Sequence, residues 1–380
     1  MVATKKRAII YPYGREAASL VRHRELLKDY EIVSLVSPKG WGIIDEDAGQ
    51  ADKGENIGIK VSGDFEKALE QCDAVIIMDY NKNEKLKNRI VSNIHKAIAA
   101  GKEVVCASEF DGDTIEKLQE EYGSEKHCFR YIKEKKSDFS VGAYDETLLE
   151  IETPVIFVGG LTENTSKFEI QLSLREKLIN QGYKVSQVGT KSYCELFGFH
   201  SIPEFMFKSE IGEKEKIVSF NRYIKEIEKT ESPDLIIVGI PGGLMPFNKK
   251  LTNNFAVTAF LISQALTPDF TIISILFEIM YPRYFEMLKT SFKYKYGFEV
   301  DCFNLSSARV DYTASNDRRK ICLDYFSSLD IDKVIEGEYM NTIRPVFNIL
   351  SSSHSEKMLE YLIDTLSKYG DREQISIGGI

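Results

Sequence analysis

Short apolar runs of strand length alternate along this chain with longer amphipathic stretches of helical period. In the first half, residues 8–11, 74–78 and 104–107 are apolar runs, and residues 84–99 repeat their apolar side chains at a helical period. Parallel sheets are built from strands that alternate with crossover helices. The pattern therefore predicts an α/β protein that contains parallel sheets.

The alternation is interrupted once, in a charged and weakly periodic stretch at residues 111–150. Runs of charge usually face water, so we predict a linker there that contains one helix and one strand. The 380 residues suffice for two domains with separate cores. We predict two separate sheets: a Rossmann-like domain at 1–110 and a P-loop-NTPase-like domain at 151–340. A helical tail at 341–380 follows, which we expect to pack within the chain or to form a dimer.

A glycine turn leads from a strand to a lysine at the start of a helix in the second half. The strand spans 154–158, and Gly160 precedes Lys167 by seven positions. Glycine turns and helix N-termini direct backbone N–H groups at one point, which suits a phosphate-like anion. We predict an anion-binding loop with Gly160, Thr162, Ser166 and Lys167 as its contacts.

Three further loops follow predicted strands of the same sheet, where ligands bind in open α/β proteins. They carry Thr190, the pair Gly242 and Gly243, and Asn304. The glycines would let the chain turn sharply beside a ligand. Asn304 either reads an adenine edge or forms an ordinary turn at a strand end, and the sequence leaves both open. We include all four residues in the predicted ligand-binding set.

The long spacing of the anion-binding loop resembles the dethiobiotin-synthetase branch of P-loop proteins, whose loop reads GT[D]xxxGK[ST]. Ser166 stands where that family has glycine, and Phe168 stands where it has a hydroxyl that holds Mg²⁺. Gly239 replaces the glutamate of its second motif, EGAGG. The resemblance therefore implies a degenerate nucleotide-type site that uses no metal.

The two halves together resemble a bacterial family that joins a Rossmann-like domain to a dethiobiotin-synthetase-like domain, with some members described as D-glutamate N-acetyltransferases. The likeness runs from Ala8 to Leu323. In length and in its eroded loop, the chain resembles more closely the peptide maturation system proteins of bacterial natural-product cassettes. That resemblance implies a role in peptide maturation, with an acyl-carrier-like or precursor-peptide partner and a nucleotide or coenzyme A-type ligand. An N-acyltransferase or ligase-like enzyme acting on an amino acid or peptide, and a non-catalytic scaffold, stay open as alternatives.

Candidate catalytic residues are few. Glu195 and His200 lie in a polar, aromatic stretch after a predicted strand and could act as acid and base, although most isolated histidines have no catalytic role. Trp41, the only tryptophan, lies between two glycines, where stacking on a partner and simple packing are both open. Whether the chain is an enzyme is not decided by its sequence.

The composition and charge of the chain argue against several classes of protein. A net charge of −9 argues against a general nucleic-acid binder. No run approaches the roughly 20 apolar residues that span a bilayer, and the N-terminus lacks the core of a signal peptide. Six dispersed cysteines without a CxxC pair are typical of reduced thiols rather than zinc ligands. We therefore expect a cytoplasmic protein without membrane or nucleic-acid partners, and leave homo-oligomerisation open.

Overall fold

A computed structural model describes residues 4–80, 83–122, 128–132, 147–278, 280–318, 320–339 and 342–370. The chain folds into two compact units, one formed by 1–140 with 188–204 and the other by 141–187 with 205–380. The strands form two large parallel sheets, one of six strands and one of seven. The prediction of two separate α/β sheets is confirmed.

The six-stranded sheet is built from the first part of the chain. Its strands are β1 (Lys6–Tyr11), β2 (Tyr30–Val36), β3 (Val61–Ser62), β4 (Ala74–Ile77), β5 (Glu103–Cys106) and β6 (Phe129–Tyr131). The helices are α1 (Arg15–Arg22), α2 (Phe65–Leu69), α3 (Glu84–Ala99) and α4 (Gly112–Tyr122). All neighbouring strands run parallel in the order β3-β2-β1-β4-β5-β6, which is the order of a dinucleotide-binding Rossmann sheet.

Local sequence explains these elements. All four residues of β4 are buried, as expected for a strand covered on both faces. The Asn83 side chain caps α3 by accepting hydrogen bonds from the backbone N–H groups of Lys85 and Leu86. Gly101 follows α3 with a φ of +71°, the left-handed conformation that glycine adopts at low cost. The helix predicted at 84–99 and its glycine stop are therefore observed.

The stretch predicted as a linker contains α4 and β6. β6 pairs in parallel with β5, so this strand extends the first sheet. The sequence offers little signal for it, because the strand has only three residues, of which only Phe129 is fully buried. Residues 123–127 and 133–146 of the predicted linker lie outside the described part of the chain.

The seven-stranded sheet contains β7 (Val155–Gly160), β8 (Val185–Gly189), β9 (His200–Ser201), β10 (Leu235–Gly239), β11 (Phe270–Ile275), β12 (Cys302–Leu305) and β15 (Val346–Phe347). Its order is β15-β12-β11-β7-β10-β8-β9. β13 (Ala308–Val310) and β14 (Leu323–Tyr325) form a separate antiparallel pair. The helices are α5 (Lys167–Asn180), α6 (Glu213–Glu231), α7 (Val257–Ala265), α8 (Pro282–Tyr296), α9 (Tyr312–Arg318), α10 (Ser328–Val334) and α11 (Ser352–Gly370).

The predicted C-terminal tail packs onto the core of the second unit. Met358, Leu359 and Leu362 of α11 are buried in one cluster with β-strand residues such as Ile156 and Ile272. Their i, i+1, i+4 spacing places these three side chains on one apolar face of the helix. Intramolecular packing of this helix is thus observed.

The sheet orders determine where ligands can bind. In the second sheet, β7 connects towards β10 and β8, whereas β11 connects towards β12 on the other side. Such a reversal opens a crevice outside the carboxyl ends of the two strands. The predicted anion-binding loop follows β7 and therefore lies at this point. Within the described residues, no helix is both long and apolar enough to cross a bilayer.

Candidate functional site

The loop between β7 and α5 packs tightly against Gly160. Asn164 and Ser166 adopt left-handed φ values of 58° and 59°, and Ser166 is the residue that precedes α5. A Cβ atom on Gly160 would lie 2.3 Å from Thr165 Oγ1 and 3.0 Å from Lys167 Cδ. Only glycine fits there without displacing the loop. Left-handed residues next to a helix start turn successive N–H groups towards one side, which forms a concave anion-binding surface.

Several backbone N–H groups of this loop have no acceptor within the described part of the chain. The first-turn N–H groups of an α-helix have no acceptor within the helix itself. Among the described residues, the backbone N–H groups of Glu163, Asn164 and Ser166 have no hydrogen-bond acceptor. These donors are therefore available to a ligand, and anion binding by the loop stays a prediction.

A second loop, residues 240–246, closes against the first. The backbone N–H of Leu244 donates to the Gly160 carbonyl at 2.9 Å. Gly242 has a φ of +74°, and a Cβ on Gly243 would lie 2.8 Å from the Leu161 carbonyl oxygen. The two predicted glycines therefore serve a turn and a close backbone approach. The structure brings Gly160 close to the loop that contains Gly242 and Gly243, and the contact of these glycines with a ligand stays a prediction.

The end of this second loop is held by two side chains of α8. Tyr296 donates a hydrogen bond from its hydroxyl to the Leu244 carbonyl, and Lys295 Nζ donates to the same oxygen at 3.2 Å. Burial raises the pKa of Tyr296 and lowers the pKa of Lys295. The tyrosine therefore remains a protonated donor, so the second loop stays fixed over the first.

Lys167 is buried, with 8% of its surface exposed, and its ammonium donates to the Gly242 carbonyl. Lys167 is therefore not a solvent-exposed residue of the first helical turn. The Lys167 ammonium and the unoccupied N–H groups of residues 163, 164 and 166 are both donors that favour an anionic ligand. Thr162 is also buried, and its hydroxyl donates to the Glu163 carbonyl within the loop.

The positions that hold Mg²⁺ in the related loops carry no metal ligand. Phe168 is 6% exposed and has no donor atom in its side chain. A Cβ on Gly239 would lie 2.3 Å from Gln171 Oε1, so the Gln171 amide fills the space that an acidic side chain at 239 would enter. Gln171 Nε2 donates to the Lys167 carbonyl at 3.0 Å. A neutral amide thus stands where a metal-binding carboxylate would be required.

Asn304 has a different role from either predicted one. Its side chain is fully buried, and its Nδ2 donates to Ser274 Oγ at 2.9 Å. Its Oδ1 accepts from the backbone N–H of Ile349 at 2.8 Å. Ser274 in turn donates to the Thr165 carbonyl and accepts from the backbone N–H of Leu161 through its own carbonyl. Asn304 therefore supports the anion-binding loop from below through Ser274, which corrects the expectation of an adenine contact.

The other predicted residues belong to segment 188–204, which groups with the first unit. Thr190 is half-buried and follows β8. Glu195 forms an ion pair with Arg130 at 3.6 Å, and His200 lies on β9 opposite Val188. These placements do not test whether Glu195 and His200 act as acid and base, so that role stays a prediction.

An ionic cluster near these residues is not foreseen in the sequence. Lys191 Nζ lies 3.1 Å from Glu16 Oε2, and the Tyr193 hydroxyl donates to the Glu16 carbonyl at 3.3 Å. Burial raises the pKa of Asp79 and of Tyr193. Burial alone would lower the pKa of Lys191, but Tyr193 and Glu16 raise it. Lys191 therefore remains charged and paired. The partners are too distant in sequence for the cluster to be predicted.

Within the described residues, no group of three or more His, Cys, Asp or Glu side chains could hold a metal ion. All six cysteines are free thiols, of which Cys72, Cys106, Cys194 and Cys302 are buried. Burial raises the pKa of Cys106 to about 12, so this thiol is protonated at neutral pH. None of these cysteines belongs to the loops described above.

The chain resembles one solved structure over nearly its whole length. A DUF1611 family protein from Anabaena variabilis superposes with a TM-score of 0.59, covering 95% of this chain and 100% of that one at 11% identity. Such an identity shows a shared fold alone. No known protein family and no curated protein matches the sequence.

Two further solved structures align weakly. Chloroplast FtsY from Physcomitrella patens aligns with a TM-score of 0.26 at 17% identity, covering 77% of this chain and 80% of that one. LpxK from Aquifex aeolicus, solved in complex with ATP, aligns with a TM-score of 0.24 at 11% identity, covering 53% and 55%. Scores this low carry no inference about this chain.

Proposed function

We propose that the second unit binds a phosphate-bearing ligand in the loop 160–167 without a metal ion, and that the protein serves peptide maturation rather than nucleotide hydrolysis. The observation that carries the proposal is the pairing of unoccupied loop N–H groups with the buried ammonium of Lys167. Donors of both kinds favour an anion, and neither depends on Mg²⁺.

The ligand class follows from the same chemistry. Backbone N–H groups and one ammonium recognise the phosphate of a nucleotide, of coenzyme A or of a phosphopantetheine arm alike. The maturation role rests on the family resemblance of the eroded loop, in which Ser166 and Phe168 replace the glycine and the hydroxyl residue. An acyl-carrier-like partner that bears a phosphopantetheine arm would supply the phosphate for the loop 160–167 and would also fit a role in peptide maturation.

We expect no appreciable Mg²⁺-dependent ATP hydrolysis. Phe168 has no donor atom for a metal, and the side chain beside Gly239 is the neutral amide of Gln171 rather than a carboxylate. The hydroxyl and the carboxylate that would hold Mg²⁺ against the phosphate oxygens are therefore both missing. Steady-state release of phosphate from ATP should equal that of a control without protein. Turnover on the order of 1 per second, the low end for ordinary enzymes, would refute this expectation.

The partner is tested with a carrier protein in two forms. Calorimetric titration with an acyl carrier protein that bears phosphopantetheine should give measurable heat, and the same carrier without the arm should give none. The variant Lys167→Met should abolish or weaken the first signal. If the two carrier forms bind equally, or if neither binds, the proposed partner is wrong. Anion binding by the loop is tested separately, by direct titration with small phosphate-bearing ligands.

A further inference from the structure

The first unit contains a cavity of about 550 Å³ at the carboxyl ends of its strands. Tyr11 of β1, Val36 of β2 and Ser62 of β3 line it, and α3 contributes Arg89 and Asn93. This volume lies within the roughly 300–1,000 Å³ typical of small-molecule sites. The carboxyl edge of a Rossmann-type sheet is also where such ligands bind. The cavity belongs to the first unit alone and is distinct from the loop 160–167.

The charges around the cavity are unbalanced once ion pairs are considered. Its carboxylates all have partners: Asp45 pairs with Lys60, Glu66 pairs with Lys96, and Asp64 accepts from the backbone N–H of Lys67. Two cations have none: Lys39 and Arg89 form no ion pair with any residue in the described part of the chain. Asp64 keeps its negative charge because a backbone N–H does not neutralise it, so the unpaired charges of Lys39, Arg89 and Asp64 sum to +1, which favours an anionic ligand.

Ser37 supplies an independent indication. It follows β2, lines the cavity and is 1% exposed, yet its hydroxyl has no hydrogen-bond partner among the described residues. A buried hydroxyl without a partner costs free energy, so a native protein seldom retains one unless something outside the chain satisfies it. The cavity also has an apolar wall, formed by Val36, Ile44 and Phe65.

In Rossmann-type sheets the pyrophosphate of a dinucleotide binds at the N-terminus of the first helix. In this protein Trp41 covers that helix end. A Cβ on Gly14, at the start of α1, would lie 2.5 Å from Trp41 Cζ3, so the indole covers this helix end. The Tyr13 side chain is fully buried and donates to the Ala48 carbonyl at 2.8 Å. Packing is thus what the structure shows for Trp41. The pyrophosphate of a dinucleotide would have to displace the indole.

We infer that this cavity is a second ligand site, which binds a nucleoside monophosphate through Lys39, Arg89 and the Ser37 hydroxyl. The phosphate pairs with the two free cations, a sugar hydroxyl satisfies Ser37, and the base packs on the apolar wall. Asn93, which is 7% exposed, lines the same cavity beside Tyr11. The site needs no metal and no residue of the second unit.

Titration of the full chain with AMP, GMP, CMP and UMP tests the inference. At least one should bind, with calorimetric heat and a change in the fluorescence of Trp41, the only tryptophan, which lies in the loop beyond Lys39. Adenosine or another matching nucleoside, and inorganic phosphate, should each bind far more weakly. Arg89→Gln should weaken binding roughly ten- to a hundredfold, since it removes one charge-assisted contact.

Two control variants test whether the binding belongs to this cavity. Lys85→Gln removes an exposed cation from the same helix outside the cavity and should change nothing. Lys167→Met alters the other proposed site and should also leave this binding intact. Ser37→Ala should lower affinity roughly two- to tenfold, the value of one neutral hydrogen bond, while the melting temperature stays equal or rises.

The stability readout distinguishes a ligand contact from a structural one. If Ser37 served the fold, its replacement would lower the melting temperature. Binding by none of the four nucleotides, or binding that Arg89→Gln leaves unchanged, would overturn the inference. Binding that disappears with Lys167→Met would assign the ligand to the second unit and would overturn it equally.

Discussion

Asn304→Ala should lower the free energy of unfolding of the second unit by roughly 1–3 kcal/mol, because it leaves one buried donor without an acceptor. That donor is the backbone N–H of Ile349, which donates to Asn304 Oδ1 at 2.8 Å and belongs to a residue that is 4% exposed. Ser274 Oγ also loses the hydrogen bond from Asn304 Nδ2, but it keeps its own bond to the Thr165 carbonyl. Urea unfolding followed by circular dichroism measures the loss.

Two controls make this measurement specific. Trp41 fluorescence reports the first unit, whose transition should not move. Asn180→Ala replaces an exposed asparagine of the second unit and should change stability by less than about 0.5 kcal/mol. Because Ser274 also holds Thr165, Asn304→Ala should weaken anion binding at the loop as well. A variant as stable as the wild type would show that Asn304 does not support the loop and would reopen its role as a ligand contact.

Lys167→Met should weaken binding of a phosphate-bearing ligand roughly ten- to a hundredfold, equivalent to about 1.5–3 kcal/mol for one charge-assisted hydrogen bond. Methionine is one atom shorter than lysine but keeps an unbranched side chain in the buried site, and it removes the charge and the donor. The unoccupied N–H groups of Glu163, Asn164 and Ser166 remain, so some binding should persist. Titrations with ATP, coenzyme A and inorganic phosphate measure the change.

The matched control is Lys229→Met, which removes an exposed cation from α6 of the same unit. It should leave affinity unchanged, because exposed charges contribute little across solvent. Lys167→Ala serves as a second variant and should lose affinity to a similar extent. If both Lys167 variants bind as tightly as the wild type, the ammonium contributes nothing to the site and only the backbone N–H groups would remain to hold a ligand.

The two sheets, their long strands and α3 could be predicted from the sequence because buried strands and amphipathic helices leave a clear period. β3, β9 and β15 could not, since each has only two residues and adds no period of its own. These short strands pair at sheet edges, where the partner strand supplies the order. β6, with three residues, could not be assigned to the first sheet for the same reason.

The candidate site, like the fold, has a part that the sequence predicts and a part that it does not. The loop 160–167 is local in sequence, so its spacing of glycine and lysine predicts it, and the resemblance to dethiobiotin-synthetase-like loops implies its missing metal ligands. The support from Asn304 depends on Ser274 and Ile349, which are 30 and 45 residues away. The cavity of the first unit likewise joins Lys39 and Arg89 from separate elements. Only the folded chain shows which charges have partners and which do not.

Metal-independent anion binding by the loop 160–167 is the central claim, and one titration tests it directly. Protein that carries Arg89→Gln, so that the cavity of the first unit contributes little, is titrated with ATP in excess EDTA and again in excess Mg²⁺. We predict binding in EDTA at least as tight as in Mg²⁺, because backbone N–H groups and Lys167 need no metal. Heat that appears only with Mg²⁺, or in neither solution, would contradict the claim.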